Sequence, residues 1–223
     1  MDSTDLEPRY HLIPAAAYVR ARLPRARSLD DRAAVELGVQ RSLAGLHRFK
    51  RGDLQRVARV LGILKGVVPE SLLDIGCGRG AFLWPLVEAF PTLAVTAIDL
   101  LRHRLETVDA VRRGGLDRLS ALRMDATALG LADDAFDAAT ALEVLEHLPD
   151  PAAAARELVR VARRFVVVSV PSKPDDNPGH LHLFDGDGVT ALFLAAGAAA
   201  VRCEHVLNHL VAVVRLGAAQ RQK

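Results

Sequence analysis

The chain has 223 residues, half of them hydrophobic and a quarter charged, with two cysteines and a formal net charge of +2. That size suits one domain with a sizeable core, or one domain plus a short extension, and the composition excludes disordered, fibrous and disulfide-framework classes. The near-neutral balance gives no general argument for nucleic acid or an anionic membrane as partner.

The chain opens Met1-Asp2-Ser3-Thr4-Asp5-Leu6-Glu7, acidic where a secretory signal is basic, and apolar stretches such as Ala191 to Val201 are too short to span a bilayer. A reduced, cytoplasmic setting is the expectation. Residues 10–66 read as helical with interspersed cations (Arg20, Arg22, Arg25, Arg27, Arg48, Lys50, Arg51), which predicts an N-terminal helical cover or lid over 1–66. A second unit, 67–223, carries the alternating pattern.

Leu72 to Ile75 reads as a strand, Gly80 to Phe90 as a helix, Ala94 to Ile98 as a strand and Leu101 to Arg113 as a helix. Leu119 to Met124 and Phe136 to Leu142 are the next strands. A helix from Pro151 to Arg163 follows, with Pro in its first turn, and then the apolar run Phe165 to Val170. After a helix near Gly188 to Ala196, the segments Ala199 to His205 and His209 to Leu216 read as a closing hairpin. Strands alternating with helices predict an α/β, doubly wound, mostly parallel seven-stranded sheet with helices on both faces and an antiparallel C-terminal hairpin.

Leu73-Asp74-Ile75-Gly76-Cys77-Gly78-Arg79-Gly80 leaves a strand and enters a helix. Glycines there permit a tight turn and let a ligand approach the backbone. Gly76 to Ala81 also satisfies the looser dinucleotide pattern G-x-G-x-x-A. Asp74 separates the readings, because a carboxylate repels a pyrophosphate and attracts a cationic amino acid. Asp99 ends the second strand, where an acid can accept ribose hydroxyls, and Met124-Asp125-Ala126 closes the third, where Asp125 can accept from an adenine amine. Three acids at successive strand tips outline a site for a positively charged nucleoside.

Those motifs, with Ala-Ile-Asp-Leu through Leu100, Phe136-Asp137 and Glu-Val-Leu-Glu-His-Leu from Glu143, resemble in order the class I, Rossmann-like S-adenosylmethionine-dependent methyltransferases, from Ser71 to the C-terminal hairpin. The resemblance implies that Gly76, Gly78 and the backbone around Cys77 hold the methionine part, Asp99 the ribose and Asp125 the adenine. Asp74, Gly80, Leu100, Ala126 and Glu143 complete the expected cofactor set.

Glu143, Glu146 and His147 follow the fourth strand, and i, i+3, i+4 spacing puts them on one face if the chain turns helical. Such a face can hold a divalent ion or do acid–base work. His180 and His182 follow the fifth strand and, in extended chain, point the same way. The pattern resembles Glu-x-x-Glu-His O-methyltransferases, among them small-RNA 3′-terminal ribose 2′-O-methyltransferases and ubiquinone-pathway enzymes. That resemblance implies Mg²⁺ or a similar ion on Glu143, Glu146, His147 and either His180 or His182. The alternative is metal-free, with Glu146 and His147 orienting the loop, or with His147, His180 or His182 as a base. The leading expectation is O-methylation of a small metabolite. An RNA-modifying methyltransferase, a non-catalytic S-adenosylmethionine-binding protein and an NAD(P)-dependent oxidoreductase are the competing readings.

Overall fold

A computed structural model describes residues 9–217; the acidic opening Met1–Glu7 lies outside the described residues. In chain order the elements are α1 (Leu12–Arg22), α2 (Asp31–Gln40), α3 (Gln55–Val67), β1 (Ser71–Ile75), α4 (Leu83–Ala89), β2 (Ala94–Asp99) and α5 (Arg102–Arg113). Then come β3 (Leu119–Arg123), β4 (Phe136–Leu142), α6 (Pro151–Val161), β5 (Ala162–Pro171), α7 (Gly186–Ala195), β6 (Ala200–Val206) and β7 (His209–Arg215). The helix starts follow local chemistry. Asp30, Asp150 and Asp185 each accept a main-chain N–H of the first turn, and Pro151 supplies the fixed φ that a first helical residue needs.

The seven strands lie in the order β3-β2-β1-β4-β5-β7-β6. The first five are parallel, and β7 is antiparallel to both β5 and β6. This is the doubly wound, mostly parallel sheet with a closing hairpin that the alternation predicts. β1, β4 and the second half of β5 are buried almost throughout because both sheet faces are covered. One core, with Leu72, Val95 and Leu119 in it, runs under α4 and α5 and continues into Tyr10, Val19, Val35 and Phe49 of the N-terminal segment. The other, with Leu73, Ile98 and Val168, lies under α6 and α7. Residues 10–66 thus share one apolar core with a face of the sheet.

Two boundaries differ from the periodicity. The first crossover helix starts at Leu83 rather than Gly80, because Gly78 and Gly80 hold left-handed backbone. The helix after Pro151 ends at Val161, and β5 begins at once, so Arg163 and Arg164 belong to a strand. Both reach the buried carboxylate of Asp137 on β4, at 2.9 and 2.7 Å, and the Glu70 N–H donates to it as well. Burial pushes Asp137 upward, but these donors outweigh it and hold the carboxyl below the usual carboxylate range. A depressed native pKa gives stability that is present above the unfolded value and lost as pH falls through the native one. Asp137→Ala should lower unfolding free energy by about 2–3 kcal/mol at pH 7, a loss that shrinks toward acidic pH in denaturant titrations.

Candidate active site

The sheet reverses its direction of growth between β1 and β4, and open parallel sheets bind ligands at such a point, beyond the carboxyl ends of their strands. A cavity of about 580 Å³ lies there, lined from the ends of β1, β2, β3 and β4 and from α3. Gly76 (φ +72°), Gly78 (+55°) and Gly80 (+88°) turn the loop through backbone that favours glycine, and a Cβ on Gly76 would overlap Val144. The Gly76 and Cys77 N–H groups both donate to the Ile98 carbonyl, which ties the loop to β2. Burial pushes the Cys77 thiol far up, which suits a packing residue rather than a nucleophile.

The sequence-predicted acids stand at this crevice in different states. Asp74 is 2% exposed; Thr140 donates to its Oδ1 at 2.9 Å, while Oδ2 is buried with no hydrogen-bond partner among the described residues. Burial pushes its pKa to about 7, the Thr140 bond opposes that, and the charge of Asp99 adds to it. Asp99 is also buried, and accepts from the N–H groups of Gly78 and Leu101 and, at 3.3 Å, from Arg104. It therefore braces the glycine loop as well as facing the cavity. Asp125 is exposed and closes a turn with both donors of Thr127, which hold it below the usual range. Leu100 and Ala126 line the same cavity; Gly80 instead lies under the Trp84 indole.

The sequence reading missed Arg56. It sits near the start of α3, lines the cavity, and keeps a buried Nε without a hydrogen-bond partner among the described residues, 3.6 Å from Glu143 Oε1. In sequence it looks like one more cation on a solvated helix face; only the rotation of α3 against the sheet aims it inward.

The Glu-x-x-Glu-His turn departs from the helical expectation. Glu143 has φ +56°, and only Leu145–His147 form a short 3₁₀ turn. The left-handed residue swings Glu143 away from its neighbours toward Ser169, which donates at 2.8 Å, and His209, 3.2 Å away. His209 is a second contact that the sequence did not reveal. Among the described residues, the metal-capable cluster is Glu146, His147 and His180, with donor atoms within 4.8 Å of one another. Glu143 is outside it. His182 is also outside, its Nε2 2.9 Å from the Leu148 carbonyl. Glu146 is fully buried with both carboxylate oxygens unpartnered among the described residues, and burial pushes its pKa to about 8. The loop after β5 folds over this turn: the N–H groups of Leu181 and His182 donate to the Glu146 carbonyl, and His147 Nδ1 lies 2.7 Å from the Gly179 carbonyl.

The fold is Rossmann-like, with its crevice beyond the carboxyl ends of the central parallel strands. Residues 73–167 match the family model described as a methyltransferase domain. The chain is 34% identical over 128 residues to a ubiquinone biosynthesis O-methyltransferase of Alkalilimnicola ehrlichii, covering 53% of this chain and 46% of that protein. A malonyl-[acyl-carrier protein] O-methyltransferase of Geobacter sulfurreducens is 29% identical over 120 residues, covering 53% and 45%. The matched segment thus spans less than half the length of these curated relatives. Among solved structures, the methyltransferase domain of bacterial CtHen1-C superposes with a TM-score of 0.62 at 23% identity, covering 74% of this chain and 98% of that one. No helix among the described residues is long and apolar enough to cross a membrane.

Asp74 gives a pH signature. Its native pKa of about 7 lies above the unfolded value, so its stability contribution is full below about pH 4 and is lost as pH rises through 7. Relative to Asp74→Asn, which cannot ionise, the ligand-free wild type should lose stability between pH 4 and 7 and hold a constant difference above pH 8, read by thermal or denaturant unfolding.

Proposed function

We propose that the chain is an enzyme that transfers the methyl group of S-adenosylmethionine to an oxygen of a small metabolite. The observation that carries this reading is the buried, half-satisfied carboxylate of Asp74 at the head of a crevice with Asp99 and Asp125 on the next strand tips. A buried acid with an orphan oxygen asks for a cationic donor, which a dinucleotide pyrophosphate is not. In this reading Asp74 faces the methionine ammonium, Arg56 takes the methionine carboxylate, and the glycine loop packs along the chain between them. Asp99 accepts from the ribose, giving up its long bond to Arg104, and Asp125 accepts from the adenine amine. Leu100 and Ala126 flank the base.

When bound, the cofactor supplies a methyl carbon on a cationic sulfur, so that a C–O bond forms as the C–S bond breaks and the sulfur leaves neutral. The protein's part is alignment and disposal of the hydroxyl proton. His147 lines the cavity beside the 3₁₀ turn and is the group we assign to take that proton, with the tilted His180 ring 4.8 Å away. Glu146 lies under it, with Oε1 4.0 Å from His147 Nε2, close enough for the imidazolium that forms to draw Glu146 toward its charged form.

A second reading rests on a specific observation, the two orphan oxygens of Glu146 beside two imidazoles. That donor set fits a divalent cation on Glu146, His147 and His180, which would polarise a hydroxyl of the acceptor. Glu143 and His182, spent on Ser169, His209 and Leu148, would not join it. Both cysteines are free thiols, the form a reducing cytoplasm maintains.

Calorimetry should show S-adenosylhomocysteine binding and no NADH binding, with affinity reduced at least tenfold in Asp99→Ala and severalfold in Arg56→Met. NADH binding in its place would refute the cofactor assignment. In a metabolite screen for a gain of one methylene, turnover should survive Asp125→Asn and drop by two orders of magnitude or more in His147→Ala. Activity lost to excess chelator and restored by Mg²⁺ would select the metal reading over the metal-free one.

A further inference from the structure

The glycine loop is held from outside the cavity as well as from within. Its last corner, Arg79-Gly80, is closed by three hydrogen bonds, two of them donated by Trp84. The Gly80 N–H donates to the Cys77 carbonyl at 2.9 Å, and the Trp84 N–H donates to the Gly80 carbonyl at 3.0 Å. The Trp84 indole Nε1–H then donates to the Arg79 carbonyl, also at 3.0 Å. The indole lies so close over Gly80 that any Cβ there would overlap it, which accounts for glycine at a residue that does not itself line the cavity.

On its far side the indole meets Phe49, with ring centroids 4.8 Å apart, and Phe49 meets Tyr18 at 5.1 Å. Trp84 and Phe49 are almost wholly buried. Tyr18 is fixed in turn, its hydroxyl donating to the Ala44 carbonyl at 2.8 Å. A line of three aromatic rings therefore runs from α1, through the turn before α3, to the corner of the glycine loop. Packed interiors are dense and shift little, so the position of Phe49 limits the position of the indole, and the indole N–H fixes the Arg79-Gly80 peptide.

We infer that Trp84 is a positioning residue of the cofactor loop and that Phe49 presses it into place, so that the N-terminal segment is a working part of the cofactor site. The inference rests on the cofactor reading above. A loop with left-handed backbone at Gly76, Gly78 and Gly80 has many other conformations open to it, and apparent affinity scales with the fraction already in the binding shape. Trp84 raises that fraction without touching the ligand.

Trp84 is the chain's single tryptophan, so its emission reports on this corner alone. In wild type, S-adenosylhomocysteine should change that emission saturably, with the dissociation constant found by calorimetry. Trp84→Phe keeps a ring but removes the N–H. It should bind S-adenosylhomocysteine about fivefold more weakly, with faster amide hydrogen exchange confined to residues 76–80 while β4 and β5 keep their protection. Phe49→Leu keeps the N–H and should shift the tryptophan emission and weaken binding in the same direction; it carries the test if Trp84→Phe does not fold. Unchanged affinity in both variants, or exchange that rises evenly over all strands, would overturn the inference. Failure of the wild type to bind would instead count against the cofactor assignment, and the exchange measurement, which needs no ligand, would still judge Trp84.

Discussion

Asp74 is the constraint around which the crevice is built. A carboxylate at the end of a central parallel strand, walled in by neighbouring strands on both sides, loses water without gaining a full set of donors. Thr140 on β4 answers one oxygen, and the other has no partner among the described residues. Burial accordingly moves the group to about pH 7, where a nearby cation decides its charge. The arrangement is costly to the ligand-free fold and becomes favourable when a cation arrives. Asp99 feels the same density of negative charge, but spends its oxygens on the glycine loop and on Arg104. One acid is thus left half-satisfied among the described residues while the other holds the glycine loop.

β4 links the two ends of the site. Its middle supplies Thr140 to Asp74, and its carboxyl end runs into Glu143 and the turn that carries Glu146 and His147. Glu146 repeats the logic of Asp74: it is fully buried, its carboxylate has no donor among the described residues, and it is pushed up to about 8. The loop after β5 is fastened over it by main-chain bonds to its carbonyl, so the turn is covered from above as well as from below. Asp74 and Glu146 are the two buried acids with orphan oxygens among the described residues, one at the end of β1 and one in the turn after β4.

Much of this was legible in the chain. Short apolar runs alternating with stretches of helical spacing marked seven strands in order, and the hairpin showed itself as two apolar segments with too little chain between them for a crossover. The glycine loop and the acids Asp74, Asp99 and Asp125 were legible because strand-end position alone determines where they stand. What escaped depended on rotation and on single dihedrals. Arg56 is indistinguishable in sequence from the other cations of the N-terminal helices until α3 is docked. The expected shared face of Glu143, Glu146 and His147 assumed a continuous helix, and one left-handed residue, Glu143, sends its own side chain to Ser169 and His209. Periodicity carries no signal for such a residue, since a non-glycine φ above zero is set by its surroundings rather than by its own preference.

The most direct test of this account is the proton balance of cofactor binding. Calorimetric titration of S-adenosylhomocysteine at pH 7, in buffers of different ionisation enthalpy, measures protons released per molecule bound. An ammonium seated against Asp74 lowers that group's pKa and should expel a fraction of a proton, a release that vanishes in Asp74→Asn. Binding with no proton release, or with the same release in both proteins, would contradict the placement of a cation on Asp74.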